Sequence, residues 1–241
     1  MRVVSTYSIK GGVGKTAAAV NLAYMAAHRR GRTLLWDLDP QGAASFYYRI
    51  KSKVKGGGEG LLSGRRPLES AIKGTDFPFL DLVPSDFSYR HLDLLLDRRK
   101  KRTRSLRRLL KPLRGQYDTV IIDSPPGLTL VAENLFDTID TLVVPLIPTT
   151  LSVRTLDQLE NFLDPGPSLL MFFSMVDGRK KLHHDVMDDI RGSRRGVLDT
   201  VIPAATEVEL MGVNRAPVGE FAPGSGAAQA YASLWSEIAS R

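Results

Sequence analysis

Apolar residues occur along this chain in short, nearly unbroken runs, each closed by a polar or turn-forming residue. RVVSTY (2–7), TLLWD (33–37), PFLDLVP (78–84), DTVIIDSPPG (118–127), DTLVVPLIP (140–148) and SLLMFFSMVD (168–177) are all of this kind. Continuous rather than alternating hydrophobicity marks strands that are buried on both faces. Between the first two runs, Thr16 to Arg30 is rich in alanine and is followed by Gly31, which predicts a helix with a glycine stop. Strands of this type alternating with helices predict an α/β fold, a mostly parallel sheet flanked by helices on both faces. A length of 241 residues is enough for one large α/β domain or two small ones; there is no internal repeat, and a single domain over 1–241 is the simplest reading.

Two segments depart from that rhythm. KSKVKGGGEGLLSGRRP (51–67) is glycine-rich and basic, and predicts a mobile loop. DRRKKRTRSLRRLLKPLR (97–114) is the most basic stretch. Its leucines at 106, 109, 110 and 113 make the second half an amphipathic helix with a basic outer face.

In parallel sheets ligands bind beyond the carboxyl ends of the strands. The chemistry-bearing residues fall there. SIKGGVGKT (8–16) joins the first strand to the first helix, the context a phosphate-binding loop requires. Gly11, Gly12 and Gly14 let the backbone wrap close to phosphate with its N–H groups turned inward, and Val13 and Ala17 complete the loop. The positive end of the following helix adds to the attraction. Lys15 is expected on the β- and γ-phosphates of a nucleotide and Thr16 on Mg²⁺. Asp123 closes an apolar strand and is expected to bind Mg²⁺ through water. Asp39, in DLDPQG, is placed to orient the attacking water. The loop breaks the G-x-x-x-x-G-K-[ST] pattern, because Ile9 stands at the first glycine position and a second lysine, Lys10, follows it.

Composition narrows the options. A net charge of +7 and a pI near 9.7 suit an acidic partner, nucleic acid or an anionic membrane, as well as a merely soluble basic protein. The absence of cysteine excludes disulfides, thiolate-held zinc and cysteine-ligated iron–sulfur clusters. No apolar stretch is long enough to cross a bilayer and the first residues lack a signal-peptide layout, so a soluble cytoplasmic protein is expected.

KGGVGKT, DLDPQG, DTVIIDSPPG and LVVPLIPTT together resemble the ParA/MinD family of deviant Walker A ATPases. The resemblance continues through FSMVDGRKKLHHDV, TVIP, APVGEF and AAQAYASLWSEI, so it covers nearly the whole chain. It implies ATP and Mg²⁺ as cofactors and a homodimer sandwiching ATP, in which Lys10 reaches the nucleotide of the opposite subunit. A compact cation beside the phosphates stabilises the charge of phosphoryl transfer. Lys10, Lys15 and Asp39 are then the catalytic candidates. The resemblance also places base recognition at Pro203 and its neighbours, with Met175 as a further candidate.

Family members differ in what the ATP switch controls. Iron–sulfur carriers are set aside by the lack of cysteine. A MinD-like membrane-associated switch uses an amphipathic tail, whereas SLWSEIASR reads as the end of a packed helix. The preferred reading is a ParA-like ATPase that binds nonspecific DNA in its ATP state, associates with the nucleoid and positions a cargo. A ParB-like or cargo-adaptor protein would stimulate its slow hydrolysis. DNA contact is expected from Arg179, Lys180, Lys181, Arg191, Arg194, Arg195 and Arg215, or from the basic run 98–114, or both. Ala204 and Glu207 depart from the family pattern, standing where arginines are common, which leaves two readings open: a DNA surface shifted from the usual one, or weak or absent DNA binding with another positioning surface. No N-terminal helix-turn-helix domain is expected, because the first strand starts at once.

Overall fold

The computed structural model describes residues 1–98, 104–163 and 166–241. Eight strands form one sheet: β1 (Arg2–Thr6), β2 (Thr33–Asp37), β3 (Lys73–Gly74), β4 (Leu80–Val83), β5 (Thr119–Asp123), β6 (Thr141–Leu146), β7 (Ser168–Val176) and β8 (Val197–Pro203). Their order is β3-β4-β2-β5-β1-β6-β7-β8. Every pairing is parallel except β3 with β4.

The unbroken apolar runs divide cleanly between the two faces. In β2, Leu34 and Trp36 point to one core and Leu35 to the other. In β7, Met171 and Phe173 oppose Leu170 and Phe172 in the same way. This is why the strands do not alternate in sequence: both faces are covered by helices. Helix α1 (Lys15–His28) and the helix Gly226–Ala239 cover one face, packing on each other and on the sheet. Alanines at 18, 19, 23, 26 and 27 of α1 are buried, so its small side chains let it approach the sheet closely. Ser225 caps the helix Gly226–Ala239 by accepting from Ala228 N–H at 3.1 Å, and Tyr231, Leu234, Trp235 and Ile238 fix its inner face.

The basic glycine-rich segment differs from the expected loop. It contains a helix, Gly57–Leu62, with Gly58, Gly60, Leu61 and Leu62 buried. The glycines are the reason it packs. A Cβ on Gly58 would lie 2.8 Å from Leu92 Cδ2 and 3.2 Å from Tyr89 Cδ1. Of the basic run, 99–103 lie outside the described residues. The remainder forms the helix Ser105–Leu110 and a following 3₁₀ turn, with Leu106, Leu109, Leu110 and Leu113 all buried as the spacing predicts.

Candidate nucleotide-binding site

β1 lies between β5 and β6, with β2 beyond β5. The register pairs Thr6 with Asp123 and Asp37 with Asp123, so the last residues of β1, β5 and β2 stand side by side at the carboxyl edge. The loop from Ser8 to Gly14 leaves β1 at this point and enters α1 at Lys15. Gly12 (φ 74°) and Gly14 (φ 96°) take left-handed conformations that side chains disfavour. Gly14 is also crowded: a Cβ there would stand 2.8 Å from Ser174 Oγ.

Lys15 is buried, and its ammonium donates to the backbone carbonyl of Lys10 at 3.1 Å. Burial lowers its pKa, with Asp123 and Asp39 pulling the other way. Lys10 itself is exposed, and its ammonium has no hydrogen-bond or ion-pair partner among the described residues.

Opposite the loop stand three carboxylates. Asp123 is fully buried, and its pKa is raised well above the usual range by burial and by Asp37 and Asp39; the Thr16 hydroxyl and Lys15 oppose this. Asp37 is raised to about 6, first by burial and then by Asp39, while hydrogen bonds from Ser45 restrain the shift. Asp123 Oδ2 and Asp37 Oδ1 are buried without a hydrogen-bond partner. Orphaned carboxylate oxygens are costly in a fold unless a ligand completes them. Among the described residues no cluster of acids, histidines or cysteines suffices to hold a metal alone. The donor set therefore fits a hydrated divalent cation whose remaining ligands come from phosphate and water, as Mg²⁺ requires.

Sequence reasoning noted Asp37 only as an acid closing a strand and gave it no role. The structure makes it the root of a relay. Ser45 donates its N–H and its hydroxyl to Asp37 Oδ2, both at 2.7 Å. Ser45 Oγ accepts from Ser85 N–H at 2.9 Å, and the Ser85 hydroxyl donates to the carbonyl of Asp39. The relay fixes the loop carrying Asp39. The Asp39 carboxylate meanwhile accepts from Gln41 N–H at 2.9 Å, capping its own turn.

The base and DNA candidates fall as follows. Met175 adopts φ 55°, and its Cε approaches within 3.8 Å of the Cβ position of Gly14. Pro203 closes β8 opposite Val176. Arg179 is fork-bound to Asp177 (Nε–Oδ1 2.9 Å, Nη2–Oδ2 3.0 Å), which holds that carboxyl well below its usual range. Arg194 bridges Asp157 and Glu160. Arg191 donates to the Asp199 carbonyl at 3.2 Å. Arg215 donates to the Phe46 carbonyl at 3.1 Å and lies over its ring. Lys180, Lys181 and Arg195 are exposed and make no side-chain hydrogen bond among the described residues, although Lys180 acts on Asp177 electrostatically.

The chain is similar to known proteins in sequence and in fold. A family model described as an AAA domain matches residues 1–165. The chromosome partitioning protein ParA of Myxococcus xanthus is 32% identical over 212 residues, covering 84% of this chain and 75% of that protein. Among solved structures, cobyrinic acid a,c-diamide synthase from Mycobacterium smegmatis with bound ADP and magnesium superposes with a TM-score of 0.81 at 26% identity, covering 99% of this chain and 94% of that one. The cell division ATPase MinD of Pyrococcus furiosus shares the fold with a TM-score of 0.83 at 24% identity, covering 99% of this chain and 98% of that one. Together with the strand–loop–helix around Lys10 and Lys15, these matches place the chain in the ParA/MinD family of P-loop ATPases.

Proposed function

We propose that this chain is one ParA-like ATPase domain that binds ATP with Mg²⁺, dimerises around the nucleotide and positions or segregates a cargo by engaging nonspecific DNA in its ATP state. The observation that carries this reading is the division of labour between two lysines. Lys15 is buried inside its own loop, whereas Lys10, five residues earlier, points its charge at no described residue. A cation held at a phosphate loop but unused by its own subunit suits a second subunit's nucleotide.

The site supports the chemistry residue by residue. Backbone N–H groups of Gly11 to Ala17, with Lys15, would hold the phosphates. Thr16 and, through water, Asp123 would hold Mg²⁺, which neutralises charge on the transferred phosphoryl group when bound. Asp39, released from its turn, would orient the attacking water. Met175, whose Cε approaches Gly14, and Pro203, paired with Val176, would contact the base. Hydrolysis is slow until a ParB-like or cargo-adaptor protein promotes it. The cargo class is a plasmid, a chromosome or a protein organelle, and the ATP form resides on the nucleoid.

No helix among the described residues is long and apolar enough to cross a membrane. The helix Gly226–Ala239 buries its apolar face against α1 and β8, so it presents no free membrane-binding stripe. Cosedimentation with DNA and with anionic vesicles, each in ATP analogue and in ADP, tests the reading. ATP-dependent binding to DNA alone supports it; ATP-dependent binding to vesicles alone replaces it with a MinD-like membrane switch.

A further inference from the structure

Two of the arginines expected at DNA are paired with carboxylates of this chain. Arg179 is bound by Asp177, and Arg194 by Asp157 and Glu160. Between 177 and 195, six basic residues face four acidic ones. A cation already paired with a carboxylate must give up that partner before it neutralises a phosphate, so it displaces the counterions condensed on DNA less readily, and their release is what drives nonspecific DNA binding.

The positive field lies elsewhere. Residues 49–73 hold seven basic residues against two acidic, and residues 104–114 hold five against none. These 36 residues carry +10, whereas the whole chain carries +7, so the remainder is net negative. Far apart in sequence, the two segments meet in the fold: the helix Gly57–Leu62 packs on the helix Ser105–Leu110, and Arg108 donates to the Leu62 carbonyl at 2.9 Å.

At the sheet edge, Lys51, Lys53, Lys55 and Lys73 line a cavity of about 790 Å³ with Ile50 and Val54, and no acidic residue lines it. Lys53 acts on Asp86; Lys51, Lys55 and Lys73 have no side-chain hydrogen bond or ion pair among the described residues. Lysine is a flexible point charge that contacts phosphate oxygens whatever the base sequence. The lysine loop is also attached to the nucleotide site. Ile50 N–H donates to the Ser45 carbonyl at 3.0 Å, and Ser45 is the residue that holds Asp37. Ser52 packs on Gly42 of the Asp39 loop.

We infer that the DNA-backbone surface of this protein is the edge formed by Lys51, Lys53, Lys55 and Lys73. The inference rests on the ParA-like reading above. It favours a phosphate backbone over a membrane because the helices of this edge turn their leucines inward: Leu61, Leu62, Leu106, Leu109 and Leu110 are buried, leaving no apolar stripe to insert.

The test is fluorescence anisotropy of a labelled random-sequence duplex, titrated with the full chain in Mg²⁺ and a nonhydrolysable ATP analogue at several salt concentrations. Each neutralised phosphate contributes about 0.9 to the slope of log K against log salt. The triple variant Lys51→Gln/Lys53→Gln/Lys55→Gln is expected to bind at least about tenfold more weakly at low salt, with a slope shallower by roughly 2–3. The single variant Lys73→Gln should lose about one unit of slope, and it keeps the test decisive if the triple variant does not fold. Lys180→Gln/Lys181→Gln/Arg195→Gln should change the slope by less than the lysine-loop variants. Unchanged affinity of the analogue and an unchanged melting temperature identify folded variants. Folded lysine-loop variants that keep the wild-type slope overturn the inference and leave the ParA-like reading standing. A wild type that binds no duplex overturns both. Wild-type binding to anionic phosphatidylserine vesicles in preference to DNA, lost in the triple variant, overturns the choice of DNA.

Discussion

The ammonium of Lys15 lies 3.1 Å from the backbone carbonyl of Lys10 and donates to it, so the two lysines of the loop are tied through one backbone oxygen. The buried lysine occupies the loop's interior while the other's side chain stays outside. Phosphate would compete with that carbonyl for Lys15, and its arrival would bear directly on where Lys10 points.

Lys15→Ala removes a buried cation that faces Asp123 and Asp39. Charge-assisted contacts to phosphate are the strong ones, worth about 1.5–3 kcal/mol each. ATP affinity should fall by about 100-fold or more, measured by calorimetry with Mg²⁺ present. Affinity within a factor of a few of wild type would remove this loop as the phosphate site.

Asp39→Ala leaves the phosphate loop and the strand ends intact, since the loop is still held by Ser85 through the backbone carbonyl of residue 39. Nucleotide binding should persist while turnover drops by about 10²–10⁴-fold, the usual contribution of a positioned acid–base group. Single-turnover hydrolysis at the wild-type rate would take Asp39 out of the reaction.

Asp37 makes stability depend on pH in a defined direction. Its folded pKa is raised from 3.8 to about 6, so its ionised form is disfavoured in the fold. The associated stability is complete below the unfolded value and is lost as pH rises through the folded one. Asp37→Asn abolishes this dependence while still accepting from Ser45. Relative to wild type, the nucleotide-free variant should gain about 1–1.5 kcal/mol between pH 5 and pH 7.5, read from urea unfolding. A difference that stays constant across that range would show that Asp37 does not titrate there.

The places of Lys15, Thr16 and Asp123 in the fold were legible in the chain because their signals are local. Lys15 and Thr16 follow a glycine loop between a strand and a helix, and Asp123 ends an apolar run, so type and spacing suffice. The relay Asp37–Ser45–Ser85 was not legible. It joins residues up to 48 positions apart, and a single serine, whether in the short helix Ala43–Tyr47 or in the turn after β4, carries no pattern of its own. β3 is two residues long, too short for any period to register. The segment 51–67 was misread because glycine and charge signal a loop, whereas here the missing Cβ of Gly58 is what admits Leu92 and Tyr89. The fates of Arg179 and Arg194 depend on acids brought near them by local turns and by neighbouring helices, which charge counting along the chain does not reveal.

Lys10 serving the opposite subunit is the claim on which the functional reading turns, and sedimentation equilibrium with a nonhydrolysable ATP analogue and Mg²⁺ tests it most directly. The wild type should pass from its 26.5 kDa monomer to twice that mass, and Lys10→Ala should bind the analogue yet stay at 26.5 kDa. A wild type that remains at 26.5 kDa when saturated, or a Lys10→Ala variant that dimerises as the wild type does, would contradict the account.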